Sequence, residues 1–263
     1  MSYLLLSRVE VSGANAQSAY PVISGISPLA YLGFARKLAL IYSNDICDRI
    51  GVSILHHDIE MHGEMGYRFQ PAQYRGAALT TTGKRGKSDD YVGGGMSMSL
   101  QPTARCDVSV SLILSGINKK SEAEIRMDVL RMRIAGGHIA SVGKIKWFES
   151  YDEAVQRAGS GYFVVERSDI LGGAEDKVRA MLLALASRKV GDGWIVPVGL
   201  GYLPVTESSK KEGVRGDLLH TYAEPLIGLV QYRSGRNIRK LKEPIPVWRY
   251  GLNKGAFVAT TAL

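Results

Sequence analysis

Cysteine is scarce in this 263-residue chain, which holds only Cys47 and Cys106. Two thiols cannot form a disulfide framework or a four-thiolate zinc site, and a reducing cytoplasm is the expected setting. No apolar run approaches the roughly 18 residues a membrane-spanning helix needs, so no membrane is expected among the partners. The opening Met1-Ser2-Tyr3-Leu4-Leu5-Leu6-Ser7-Arg8 lacks a basic n-region and a small-residue cleavage site, so no secretion signal is expected. The five histidines (56, 57, 62, 138 and 220) include no H-x-x-x-H pair on a helix. What is present is ordinary for a globular protein: 45% hydrophobic and 22% charged residues. The thirty glycines follow no G-x-y period and point to many loops.

The balance of charge is the first functional sign. The net charge is +8, with 33 Lys and Arg against 25 Asp and Glu. An excess of this kind favours polyanionic partners through long-range attraction and counterion release. It is unevenly spread: residues 1–64 carry net −2, residues 65–147 net +7 and residues 148–263 net +3.

Hydrophobic periodicity orders the first half of the chain. Tyr3 to Val11 reads as a strand, and the polar stretch Ser12 to Ser18 as a loop. Pro28 to Ile41 is predicted helical, with Ser27 as N-cap and Pro28 at the first helical position. Gly51 to Glu60 is a second strand, and strict alternation marks a third over Asp107 to Leu114. A helix is predicted from Glu122 to Ile134, opened by a capping box of Ser121 with Glu124 and ended by Gly136-Gly137. His138 to Trp147 reads as a fourth strand. The order β-α-β-β-α-β is that of an α+β, ferredoxin-like (RRM-like) domain over residues 1–148. Its central strands are separated by a long arm at about 65–100, rich in Gly, Thr, Ser and Gln. Residues 149–263 form a smaller mixed α/β C-terminal region. There, Tyr162 to Glu166 and Gly193 to Val198 read as strands, Asp176 to Lys189 as a helix, and 205–217 as a polar linker. A second basic run follows: Arg233, Arg236, Arg239, Lys240 and Lys242.

Several constellations have a chemical and a bland reading. Gly83-Lys84-Arg85-Gly86-Lys87-Ser88 fails as a nucleoside-triphosphate loop, because Thr81 stands where the first glycine of that motif belongs. What remains is an arm whose Lys84, Arg85 and Lys87 suit backbone phosphates, or else a merely solvated loop. On a regular strand His56, Asp58 and Glu60 would share one face, a conceivable ligand set for a divalent ion; a structural role outweighs it, and no metal or other cofactor is expected. Gly136-Gly137 is either a helix stop or a place where a nucleic-acid backbone approaches peptide N–H groups. Arg131 and Arg133 before it and His138 after it favour the second reading. Single aromatics such as Tyr91 and Trp147 are candidates for stacking on bases, with core packing the stronger reading. Nucleophile elbows, dinucleotide fingerprints and carboxylate pairs with a clear role are absent.

An ordered series of short motifs carries a family resemblance. It runs through Tyr3-Leu4-Leu5-Leu6, Ala14-Asn15-Ala16, Leu32-Gly33-Phe34, Gly51-Val52 to His56 with Glu60, and Arg105 with Val108 to Leu112. It continues through Arg133-Ile134-Ala135-Gly136-Gly137-His138-Ile139, Gly193-Trp194-Ile195-Val196-Pro197 and Gly201-Tyr202, with weaker echoes at Glu224 to Leu229 and from Gly255 on. The series resembles the 5′-handle-capping RAMP subunit of type I-F CRISPR (Csy) complexes, a Cas-five-like family. The resemblance implies an RRM-like body with a protruding thumb, a glycine-rich loop after the second helix and no catalytic activity. It implies CRISPR RNA as ligand and the backbone and large subunits of the effector complex as partners. It places Asn15 on the family's first loop and Gly136 and Gly137 on its glycine-rich loop. The arm at 65–100 and the abridged second half depart from the family pattern, which leaves open a variant system in which this chain itself touches target DNA. Two rival readings are a repeat-RNA-cleaving endoribonuclease of related fold, using His56, His57 or His138 as base, and a backbone-type RAMP subunit. The expected RNA-binding residues are Asn15, Lys84, Arg85, Lys87, Arg131, Arg133, Gly136, Gly137 and His138.

Overall fold

A computed structural model describes residues 2–19, 22–42, 50–67, 69–72, 104–187, 189–190, 193–210, 218–241, 243–253 and 255–261. The first half of the chain builds β1 (Tyr3–Asn15), α1 (Pro28–Tyr42), β2 (Gly51–Met61), the short strands β3 (Gly63–Met65) and β4 (Phe69–Pro71), β5 (Arg105–Ser115) and α2 (Glu122–Leu130). Three more strands close it: β6 (Arg133–Ile134), β7 (Gly137–Val142) and β8 (Ile145–Phe148). The second half adds α3 (Tyr151–Arg157), β9 (Tyr162–Glu166), α4 (Asp169–Gly172), α5 (Lys177–Ser187), β10 (Lys189–Val190) and β11 (Gly193–Pro204). It ends with β12 (Ala223–Ser234), α6 (Gly235–Leu241), β13 (Arg249–Asn253) and β14 (Ala256–Thr260).

The protein is mixed α/β, built on one large antiparallel sheet. Its strand order is β13-β14-β11-β12-β9-β2-β5-β1-β7-β6, with β10 beside β11 and β8 beside β1. The strands of the second half extend the sheet of the first, joined where Leu55 and His56 of β2 pair with Phe163 and Tyr162 of β9.

Alternation decides which residues face which layer. Leu4, Leu6, Val9 and Val11 of β1, with Val108, Val110, Leu112 and Leu114 of β5, point into the main core. There they meet Tyr31, Leu32, Ala35 and Leu38 of α1 and Ile125 and Val129 of α2. The helix residues recur at three- and four-residue intervals, which lines them up on one stripe. Leu5, Leu55 and Ile113 point the other way, into a smaller core closed by Ala154 and Val155 of α3, Phe163 and Ile238 of α6. These helices cover only part of that second face. The remainder, where β1, β2 and β5 approach their Asn15, Met61 and Arg105 ends, is covered by no helix among the described residues.

Two predicted elements end differently. The helix expected to run to Ile134 stops at Leu130, with the N–H groups of Arg131 and Met132 turning back to Asp128 O (3.1 Å) and Val129 O (3.0 Å). Arg133 and Ile134 then pair with His138 and Gly137 as a hairpin. Its two-residue loop is Ala135 (φ +49°) and Gly136 (φ +76°), the left-handed pair of a type I′ turn. Ile134 is buried in either conformation, so the apolar spacing alone could not separate strand from helix. The glycines therefore close a hairpin rather than end a helix.

The single strand predicted over His138 to Trp147 is two, β7 and β8. β1 slips register between Leu6 and Val9, with Arg8 at φ +46°. The Gly143 N–H spans the break by donating to Ser7 O (2.9 Å) and Arg8 O (3.2 Å). A Cβ on Gly143 would stand 2.7 Å from Ser7 O, so the crossing needs glycine. Of the polar linker expected over 205–217, residues 211–217 lie outside the described residues, and 205–210 instead prolong the β11–β12 hairpin: Val205 N–H donates to Tyr222 O (2.8 Å), and Ser209 and His220 exchange both backbone bonds.

Candidate nucleic-acid interface

Six of the sequence-derived residues gather at the end of the sheet where β1 finishes, β7 begins and α2 finishes. Asn15 ends β1, and its backbone N–H donates to Ala135 O at 2.9 Å, tying it to the glycine turn. Its side chain closes a local turn, accepting from Gln17 N–H at 3.0 Å and donating to Gln17 O at 3.1 Å; Asn15 therefore shapes the loop entrance. Arg131 caps α2 and is exposed, as is Arg133, whose Nη1 donates to Gly136 O at 3.1 Å. His138 is exposed and stands opposite Ser12 on β1 and Arg133 on β6.

The two glycines play different parts. Gly136 is exposed at the apex of the turn, and a Cβ there would have nothing within 4 Å. Gly137 is buried, and a Cβ there would stand 2.7 Å from Ala14 N and 2.8 Å from Ala14 Cα and Val11 Cγ1. Gly136 can meet a ligand backbone; Gly137 keeps β7 against β1. Arg105, which the sequence did not single out as a site, joins the group. It pairs with Asn15, is exposed and donates to Gly13 O at 3.1 Å. A lone arginine ahead of an alternating strand gave no signal of this. Lys84, Arg85 and Lys87, with the rest of the arm beyond residue 72 and Tyr91, lie outside the described residues. Trp147 is half-buried and donates its indole N–H to Lys120 O at 3.0 Å.

The open face of the sheet has the opposite sign. A depression of about 260 Å³ is lined by Glu10, Ser12, Asp58, Glu60, Asp107 and Ser109, among others. The N–H of Gly13 (2.8 Å) and the hydroxyl of Ser12 (3.0 Å) hold the Asp107 carboxyl below its usual range. Four carboxylates on a strand surface repel phosphates, so this face is unsuited to a polyanion.

The candidate metal set does not assemble. β2 slips register between His56 and Asp58, so His56 pairs with Val110 and Asp58 with Ser109. The bulge turns them to opposite sides of the sheet. His56 is buried (2% exposed), with its Nε2 2.8 Å from Tyr31 Oη, while Asp58 and Glu60 are exposed. Among the described residues no group of three or more His, Cys, Asp or Glu is placed to hold a metal ion.

The bulge also bears on the histidines weighed as bases. Burial, and then neighbouring His57, lower the pKa of His56 to about 3. His57 meets Ser160 O through Nδ1 and Ser111 Oγ through Nε2, both at 2.6 Å, and burial lowers its pKa too. Only His138 of the three stands exposed at the cationic end. Among the described residues no helix is long and apolar enough to cross a membrane.

A family model described as CRISPR-associated protein (Cas_Csy2) matches residues 4–187. No curated protein matches the chain.

Proposed function

The chain belongs to the Cas_Csy2 family of CRISPR-associated proteins and is a subunit of a type I-F CRISPR interference complex, and from that premise we propose that it grips the 5′ repeat-derived end of the guide RNA without catalysing a reaction. In this reading β1, α1, β2, β5, α2 and β7 form a ferredoxin-like RAMP body, and the arm between β2 and β5 is its thumb. Residues 149–263 act as a second region that widens the sheet. The partners are the guide RNA, the backbone subunit met through the thumb, and the large subunit, in the cytoplasm of the host cell.

One observation carries the proposal: Asn15, at the end of β1, and Arg131, Arg133, Gly136 and His138, within the single stretch 131–138, lie together at one end of the sheet, beside an acidic face that repels phosphate. The arginines would neutralise backbone phosphates, and the bare turn at Gly136 would let the strand approach closely. Lys84, Arg85 and Lys87 would extend the same track along the thumb. The non-catalytic part rests on the histidines. His56 is sealed in the core and His57 is held by two hydrogen bonds, so neither of these two β2 histidines is free to act as a general base.

Purification of the chain with its partner subunits should bring down guide RNA, and recovery of a correctly assembled RNA-free complex would overturn the reading. Replacing Arg131 and Arg133 together by glutamine should lower the slope of log K against log salt for single-stranded guide RNA by about 1.4, at roughly 0.7 per phosphate contact. An unchanged slope would remove these arginines from the interface. His138→Ala, assayed on repeat RNA, should leave the RNA intact as the unaltered chain does; cleavage by the latter would favour the nuclease reading.

A further inference from the structure

The sequence motif Gly193-Trp194 and the second basic run are left unused by the site above. Trp194 lies at the start of β11, opposite Tyr232 of β12, with its indole 40% exposed. It lies flat on the Tyr232 ring, with centroids 5.3 Å apart and planes 9° from parallel. Tyr162 meets its edge at 4.7 Å and 61° and is itself 39% exposed. Tyr232 beneath is only 4% exposed and packs at 5.4 Å on His56, which packs at 5.6 Å on Tyr31 of α1. A column of rings therefore runs from the buried helix to the surface, and the outermost ring is fixed before any ligand arrives.

The described residues of the basic run sort into two kinds, Lys242 lying outside the described residues. Arg233 pairs with the carboxylate of Glu243, and Arg239 donates to Gly159 O at 3.1 Å. Those two are structural. Arg236 and Lys240 are exposed on α6, which begins directly after Ser234, the partner of Tyr162 in the ladder; Gly235 N–H also donates to Gly161 O at 2.8 Å. α6 packs with α3 on the other face of the sheet from the ring column, so the seat rests on its exposed rings, the sequence-tolerant platform on which proteins stack the bases of single-stranded nucleic acid.

We infer that Trp194, flanked by Tyr162, is a stacking seat for an unpaired base of the guide RNA. The inference rests on the RNA-binding reading and extends it. β7 and β11 run in the same direction through the antiparallel ladder, but Tyr162 is in register with His56, Val110, Val9 and Val142, so the seat lies level with the Val142 end of β7 and away from Gly136. Six strand spacings separate β11 from β7, about 29 Å across at 4.8 Å each. The seat is thus a second point of grip on the same strand of RNA.

The test is a titration of the full chain with single-stranded guide RNA, comparing Trp194→Leu with Trp194→Phe. Leucine keeps the apolar packing but lacks a flat face; phenylalanine keeps the face. Trp194→Leu should weaken binding roughly 5- to 100-fold with the salt slope unchanged, and Trp194→Phe should recover most of the loss. Thermal midpoints should be alike for the two. RNA should also quench the tryptophan fluorescence of the unaltered chain more than that of Trp194→Phe, since Trp248 is fully buried and Trp147 half-buried. Equal affinity of the leucine variant, or parallel losses in both variants with lowered midpoints, overturns the seat. If the seat fails while the Arg131 and Arg133 variants still flatten the salt slope, RNA binding stands without it. If no variant and no unaltered chain binds RNA, both readings fall.

Discussion

Gly137→Ala should destabilise the protein by about 2–4 kcal/mol, whereas Gly136→Ala, one residue away, should cost about 1 kcal/mol. The added methyl group at 137 meets Ala14 N at 2.7 Å and Ala14 Cα at 2.8 Å. Those are backbone atoms of β1, which β5 holds from its other side, so neither strand yields by rotating a side chain. Relief comes only by prising β7 away from β1, which uncovers Val11, Ile134 and Ile139, all buried in the main core. At 136 the methyl group meets open space, and the cost is confined to holding an alanine at φ +76°, which Ala135 beside it already bears. Urea unfolding of the two variants reads the difference directly. In RNA binding the order is the same for a different reason, because loss of β7 scatters Arg133 and His138. Equal stabilities for the two variants would mean that the strands part more easily than the packing indicates, and the assignment of Gly137 to structure would be withdrawn.

The strand and helix order of the first half was legible because each element carries its own local signal. Ser121 and Glu124 form the reciprocal capping box, with Glu124 N–H donating to Ser121 Oγ (3.3 Å) and Ser121 N–H to Glu124 Oε2 (3.1 Å). Ser27 caps α1 by accepting from Leu29 N–H at 3.1 Å. Alternation in β5 fixed its two faces. The bulges at Arg8 and His57 were not legible, and they matter most. A slip of one residue moves every later side chain to the other face, which is why His56 went into the core while Asp58 and Glu60 stayed outside. No local pattern announces such a slip, since it is set by the pairing partner a hundred residues away.

The candidate site was legible in its residues and not in its roles. Asn15, Arg131, Arg133, Gly136 and His138 do converge, yet a pair of adjacent glycines reads as one feature until the backbone separates an exposed apex from a buried contact. Arg105 enters only through its register with Asn15. Trp194 was visible as part of a motif, but its flat backing by Tyr232 depends on the pairing of β11 with β12, 38 residues apart along the chain. The second half gave weaker local signals for the same reason. β9 meets β2 through two residue pairs, and Trp248 joins by exchanging backbone hydrogen bonds with Val52 (2.8 and 2.9 Å), contacts that no periodicity within either segment encodes.

Acidification below pH 6.5 should unfold the protein through His56. Its ring lies fully enclosed between Tyr31 and Tyr232, with Nδ1 buried and lacking a hydrogen-bond partner among the described residues. Burial therefore holds the pKa near 3 against 6.5 for the free side chain, and it raises those of the Tyr31 and Tyr232 hydroxyls, so neither supplies a charge that would favour the imidazolium. Between these two values the unfolded chain binds the proton and the folded chain does not. Stability then rises with pH across the window and is lost as pH falls through it, by up to about 1.4 kcal/mol per unit. Over the whole window the loss is on the order of 4–5 kcal/mol, a large part of the 5–15 kcal/mol typical of a domain. The lowered pKa of His57 acts in the same direction. His56→Gln removes the titrating group while keeping a side chain of similar length. The variant should start less stable at pH 7.5 but lose about one proton's worth of slope between pH 6.5 and 4, measured as urea unfolding free energy at each pH. The carboxylates with lowered pKa, Asp107, Glu124, Glu149 and Asp169, titrate identically in both proteins and cancel in the comparison. If the two proteins show the same slope across that window, His56 is reached by protons in the folded state, and the sealed column of rings beneath Trp194 is not what the packing makes it.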